Sequence, residues 1–397
     1  MLAAFASRDY AIFWLGAFVS NIGTWMQSTA LGWLIYERTQ SSSWLGAVSL
    51  CGSTPILLLG LVGGAIADRV EQRRILVATQ LVAGAFVFLL ALLTASGRLE
   101  IWHVLFFSFA LGAANAIYVP AIHAAIPSFV PADRLLTAIS LNSVNFNLAR
   151  IVGPALAGAA YARIGPTGCF GLNAASFAVM AAAVTLLRIP PRAALAPQSL
   201  RRDLFDGLAY ARRERAIRSM LILAAAVSFF GFPYIILMPA VARDVLGLGP
   251  QGLGVLLAAI GLGAVIGGLG LASIAATASP RVAIGAAVAF ALALIAFTTM
   301  QTGTSAAIAL VAVGLFQIVC IASLNTTLQT AVANEMRGRV MSMVSVSLFG
   351  ISPLGAAVLG PVADWTGVRT VIAGGALAVM AVAIGLSVEA SSGGNAR

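Results

Sequence analysis

Hydrophobic residues run along this chain in long uninterrupted stretches, and polar residues gather in short clusters between them. Twelve stretches reach the about 20 residues that a helix needs to cross a bilayer. They lie near 11–36, 43–67, 75–95, 101–127, 135–161, 167–187, 219–242, 251–276, 281–300, 304–330, 338–362 and 369–388. Pro55, Pro120, Pro154, Pro233, Pro239 and Pro353 fall inside them, which predicts tilted or kinked helices. The longest polar interruption, Arg188 to Arg218, opens with Pro190-Pro191 and is rich in arginine. It predicts a first half at 1–187, a basic link at 188–218 and a second half at 219–397. Within the link, Leu204, Phe205, Leu208 and Ala209 recur at helical spacing opposite the charges. That pattern suits an amphipathic helix lying on an anionic inner leaflet, and equally a solvated linker helix with no partner.

The halves repeat one another. Adding 202 carries Gly112 to Gly314, Asn115 to Gln317, His123 to Asn325, Asp133 to Glu335, Ser140 to Ser342, Gly153 to Gly355, Gly158 to Gly360 and Gly165 to Gly367 without a gap. Spans four and five therefore correspond to spans ten and eleven. The loop after span two has no good copy, because the eighth span ends LGLASIAATASPRV with Arg281 as its only charge.

Composition narrows the class. The chain is 60% hydrophobic and 9% charged, against roughly 25% charged in an ordinary globular domain, so it is a polytopic membrane protein. The net charge of +10 is carried by arginine, with no lysine. Such a balance invites a nucleic-acid reading, but the arginines concentrate in the loops of one side. Only Arg38, Arg98, Arg163, Arg243 and Arg369 fall in loops of the other, and Arg150 stands inside a span. This asymmetry predicts that both termini are cytoplasmic. The first apolar run lacks a small-residue cleavage site and reads as a retained helix. Cys51, Cys169 and Cys320 are scattered in apolar runs and read as small core residues, with no disulfide, metal or cofactor expected. No nucleotide-binding motif is present, which excludes ATP hydrolysis within the chain, and nothing suggests an enzyme.

Arg150 is the one charge deep in a span. An arginine at the centre of a helix costs about 2.5 to 3.5 kcal/mol to insert, so it implies a partner or a function. Substrate binding, conformational coupling and a structural bond to helix carbonyls and asparagines are all open to it. Asn21, Gln27, Asn115, Asn145, Asn147, Tyr234, Gln317 and Asn325 stand at similar depth, each read either as lining a site or as an interhelical hydrogen bond. Every Asp and Glu falls in a loop or at a helix end, so no carboxylate is placed as a midmembrane proton relay. If transport is proton-driven, Asp68, Asp133, Glu335, Glu37 or His123 must serve, or the substrate itself carries the proton.

A resemblance adds to this. Gly60 and Gly64 stand at small-xxx-small spacing, and Asp68, Arg69, Glu71, Arg73 and Arg74 crowd one loop. The pattern of Gly64, Asp68, Arg69, Arg73 and Arg74 resembles the loop signature between the second and third helices of the major facilitator superfamily, with Glu71 where many members have glycine. NLARIVGPALAG around Arg150 resembles the fifth helix of exporter-type facilitators, especially the enterobactin-exporter-like (transmembrane secretion effector) branch, and the likeness continues through NTTLQTAVANEMRGRVMS and PLGAAVLGPVADWTG. The resemblance implies an all-α membrane protein of twelve transmembrane helices in two pseudo-symmetric six-helix halves. It implies a substrate site near the midplane, lined by spans one, four, seven and ten, and a cytoplasmic gate in which Asp68 faces the start of span eleven near Arg337 and Arg339. The function implied is secondary active export of an amphiphilic, drug-like or siderophore-like small molecule by alternating access, in antiport with protons, by a monomer. A lipid flippase of the same fold is the alternative. A nontransporting receptor would not need matched midplane polar residues in two halves.

Overall fold

The computed structural model describes residues 2–189, 209–210, 212–273, 279–333 and 336–392, with the side chains of 2–3, 60–69, 272–273, 349 and 390–392 outside that description. Most of the basic link, Leu204, Phe205 and Leu208 of its amphipathic segment included, and Glu335 lie outside the described residues. Among the described residues every regular element is helical. This follows from the solvent, because hydrocarbon offers no partner for a backbone N–H or C=O and a helix satisfies both within one segment.

Helices α1 (Arg8–Thr39), α2 (Ser42–Arg69), α3 (Gln72–Ala95) and α4 (Ile101–Ala125) come first. The stretch Leu135–Leu186 is 52 residues long, far beyond the about 30 Å of a bilayer core at 1.5 Å per residue. It turns at Gly165, whose φ of 64° is left-handed, and so forms α5 (135–164) and α6 (166–186). Gly367, 202 positions on, turns the chain in the same way at φ 89°.

In the second half α7 starts as Arg215–Ala226, passes a π-helical turn at Val227–Gly231 and continues to a second at Val241–Val245. Then follow α8 (Pro250–Ser273), α9 (Pro280–Thr298) and α10 (Gly303–Ala331). Next, α11 runs from Arg337–Ser345 through a π turn at Val346–Gly350 into Ile351–Thr366, and α12 is Val368–Ser392. Among the described residues, ten stretches are long and apolar enough to cross a membrane. One of them, Ala132–Leu186, holds both α5 and α6, and α1 is not among the ten, which together fits twelve crossings.

The prolines act unequally. Pro55, Pro120 and Pro154 sit inside regular helix. The carbonyls four residues before Pro233 and Pro353, at positions 229 and 349, lie within the π turns of α7 and α11. Proline removes the hydrogen bond to that carbonyl and crowds it, and a wider turn absorbs both effects.

The chain folds into two compact units. One comprises Met1–Arg38, Ala47–Pro197 and Pro250–Ala258, the other Thr39–Gly46, Gln198–Gly249 and Ala259–Arg397. In the first, α1 and α5 run parallel and are tied turn by turn: Tyr10 Oη donates to Ala138 O (2.8 Å), Trp14 Nε1 to Leu141 O (3.0 Å) and Asn145 Nδ2 to Trp14 O (2.8 Å). Tyr10, Phe13, Leu76, Phe129 and Met180 fill the core beside them. In the second, Phe290 of α9 is fully buried against the rings of Phe232 and Tyr234.

Close helix contacts repeat at the 202 offset. A Cβ added at Gly112 would stand 2.0 Å from Gly52 O, and one at Gly314 2.0 Å from Ile260 O. Each glycine thus lets its helix lie directly on the backbone of another, α4 on α2 and α10 on α8, as small residues do in membrane bundles.

Candidate functional site

Arg150 follows a ridge of α5 that faces α1. Asn145 and Ala149 on that ridge are fully buried, and Gly153 accepts the backbone of Ile22 and the side chain of Trp25. Arg150 is half-buried, with Nε and Nη2 shielded from solvent. Asn147, one turn earlier, donates to Ser143 O of its own helix (2.8 Å).

The other polar candidates divide by burial. Asn21 donates to Asn145 Oδ1 at 3.0 Å, joining α1 to α5. Gln27 accepts from Asn173 Nδ2 of α6, and Ser176 Oγ donates to Asn173 Oδ1 at 2.8 Å. Gly23 makes room for this cluster, since a Cβ there would meet both Asn173 and Ser176 within 2.4 Å. In the second unit Tyr234 Oη donates to Gln317 Oε1 at 3.3 Å, both residues buried. Asn325 is half-buried and Asn115 exposed. Gln27, Asn145, Tyr234 and Gln317 are thus buried in hydrogen bonds between helices, Asn21 makes such a bond while half-buried, and Arg150, Asn115, Asn147 and Asn325 also keep exposed surface.

Of the charged loop after α2, the side chains of Gly64, Asp68 and Arg69 lie outside the described residues. Arg73 donates to Thr185 O at the end of α6, and Arg74 pairs with Glu71 at 2.8 Å on the surface. Arg337 is exposed in the first turn of α11, and Arg339 Nη1 contacts Met336 Sδ at 3.4 Å. Asp133 lies 3.8 Å from Arg134 on the surface, and His123 is exposed in the last turn of α4. A solvated pair such as Arg74 and Glu71 contributes about 0 to 1 kcal/mol.

Two groups were missed by sequence reasoning. Asn173 and Ser176 lie in an apolar run, where a polar pair three residues apart on one helix face was the available signal. Asp364, near the end of α11, accepts hydrogen bonds from Ser41, Ser42 and Ser43. Nothing in the sequence joins positions more than 320 residues apart.

The profile of the family described as transmembrane secretion effector matches residues 1–393. The chain belongs to this family. The transmembrane secretion effectors are transporters of the major facilitator superfamily, and this member is a multi-pass membrane transporter of small molecules, not an enzyme. It is 27% identical to the multidrug efflux pump Tap of Mycobacterium tuberculosis over 376 residues, covering 92% of this chain and 88% of that protein. It is 26% identical over 371 residues to the staphyloferrin A transporter of Staphylococcus aureus, covering 90% of each. Among solved structures, an inward-facing bacterial homologue of the human lysosomal transporter Spinster superposes with a TM-score of 0.72 at 17% identity, covering 97% of this chain and 95% of that one. This last likeness shows the fold that the sequence pattern implied.

Proposed function

We propose that this transmembrane secretion effector exports an amphiphilic, drug-like or siderophore-like molecule across the bacterial inner membrane by alternating access, in exchange for protons. The observation that carries the reading is the likeness, over about nine-tenths of the chain, to proteins named for multidrug efflux and for staphyloferrin A transport. The lipid-flippase alternative draws no support from these relatives. Arg150 supplies the positive charge of the binding site: its guanidinium is held at midspan by a helix anchored on α1, and its planar donors suit a carboxylate or catecholate. Asn115, Asn147 and Asn325 are the neutral lining. Asp68 closes the cytoplasmic gate toward the positive end of α11, where a carboxylate is favoured. Proton exchange falls to Asp68, His123, Asp133 or Glu335. The halves 1–187 and 219–397 move as the two bodies of the cycle, the basic link at 188–218 stays in the cytoplasm with both termini, and the transporter works as a monomer.

The test is efflux of an amphiphilic dye carrying a carboxylate, a carboxyfluorescein, from an efflux-deficient bacterial host expressing the protein, with and without a protonophore. Faster efflux that the protonophore abolishes is expected. Dye retention equal to that of the empty host, together with unchanged susceptibility to a panel of cationic and anionic drugs, would sink the exporter reading.

A further inference from the structure

We propose that Phe146, with Trp25, forms an aromatic subsite beside Arg150, and that the substrate carries an aromatic ring next to its acidic group; this rests on the export reading and on the role given there to Arg150. Phe146 and Arg150 stand at i and i+4 on α5, so their side chains rise from one face of the helix with Cβ atoms about 6 Å apart. The ring of Trp25 meets that of Phe146 edge-on, with centroids 5.7 Å apart and planes at 65°. A Cβ added at Gly153 would lie 2.5 Å from Trp25 Cβ. The indole therefore starts opposite position 153 and reaches position 146, two turns back, alongside the turn that carries Arg150.

The seam between α1 and α5 has two sides of opposite character. The helices run parallel, so turning each away from the contact of Asn21 with Asn145 shows which exposed residues share a side. One side carries Leu15, Val19, Val144 and Leu148, all apolar and all exposed. Such a surface suits acyl chains. The other carries Thr24 and Ser28 of α1 with Ser143 and Arg150 of α5, and there the guanidinium requires water or a polar ligand. Phe146 is on this second side and is 49% exposed. A ring that served only to pack α1 on α5 would be covered, as Tyr10 and Phe13 are.

Chemistry then narrows the substrate. Aromatic pairs attract one another beyond what their buried area accounts for, so this wall distinguishes a ring from a saturated group of the same size. The spacing of one helical turn between ring and guanidinium suits an acid attached directly to the ring, and not one carried on a long chain.

Two acids of the same shape separate a ring from mere bulk. Purified protein in lipid nanodiscs is titrated calorimetrically with a naphthoate and with its fully saturated counterpart, with empty nanodiscs as the reference. The wild type is expected to bind the naphthoate about fivefold more tightly. Phe146→Leu is expected to bring the two affinities together while the saturated acid binds as before, and Phe146→Met serves where the leucine variant does not fold. Phe88→Leu removes a similarly exposed ring on α3 and is expected to keep the preference. Equal affinities in the wild type, a preference that survives loss of the Phe146 ring, or no binding of either acid overturns the subsite. Efflux of carboxyfluorescein from cells is read separately. Equal binding of both acids with intact efflux removes the aromatic subsite and leaves the exporter, whereas a Phe146-dependent preference without efflux keeps the subsite and removes the exporter.

Discussion

Single polar residues in this bundle do two kinds of work, and burial tells them apart. Asn145 has no exposed surface and spends its amide on Trp14 O and Asn21. Interhelical bonds of this type average about 0.6 kcal/mol in membranes. Asn145→Leu is therefore expected to lower the melting temperature slightly and leave efflux intact; loss of efflux at unchanged stability would place Asn145 in the substrate site instead. Arg150 is different. It lies one position beyond the α1-facing ridge, keeps part of its surface exposed and carries a charge that hydrocarbon penalises. Arg150→Lys keeps the charge but not the planar pair of donors, so partial loss of transport is expected, and nearly complete loss for Arg150→Ala. Substrate affinity measured on purified, thermally intact Arg150→Ala checks the role. Unchanged affinity would reduce Arg150 to scaffolding and favour a neutral substrate.

Helix contacts set the next scale, and here backbone proximity outweighs hydrogen bonding. α4 on α2 and α10 on α8 meet at Gly112 and Gly314 with carbonyl oxygens where a Cβ would have to go. Gly112→Leu and Gly314→Leu must push two helices apart, at a cost of several interhelical hydrogen bonds, and each is expected to abolish the folded protein on size-exclusion chromatography. Gly285 of α9 has nothing within 4 Å of an added Cβ. Gly285→Ala should be neutral, or stabilising by up to about 1 kcal/mol through helix propensity. Equal damage from the substitutions at 285 and 314 would show that close approach is not what these glycines provide.

At the scale of the whole molecule the predictions concern orientation and gating. A cysteine at Ala194 in the basic link is expected to resist an impermeant maleimide added outside intact cells and to react once the membrane is opened. Labelling from outside would invert every helix. Asp68→Asn keeps the size of the side chain and removes the charge that a helix N-terminus favours. It is expected to cripple transport while membrane expression stays normal, and wild-type efflux by this variant would remove Asp68 from both the gate and the proton path.

Much of the fold was legible in the sequence, because the bilayer admits so few solutions. Apolar runs of sufficient length, separated by charged loops, can only be helices, and the glycines at 112, 153, 158 and 165 with their partners 202 positions on announced two related halves. Gly165 and Gly367 then turn the chain in the same left-handed conformation, and Gly112 and Gly314 admit the same kind of contact. Composition alone made the protein a membrane protein, and the charged loop with the Arg150 segment pointed to its family. Polar residues at midspan were less legible, since an asparagine that lines a cavity and one that ties two helices look the same along the chain. Tertiary structure decided that Asn21, Gln27, Asn145, Tyr234 and Gln317 face neighbouring helices. It also brought Asp364 to the serines at 41–43, more than 320 residues away. Periodicity reports which face of a helix is apolar, and in helices such as α4, α8 and α10 apolar residues lie on every side; only packing decides which faces meet.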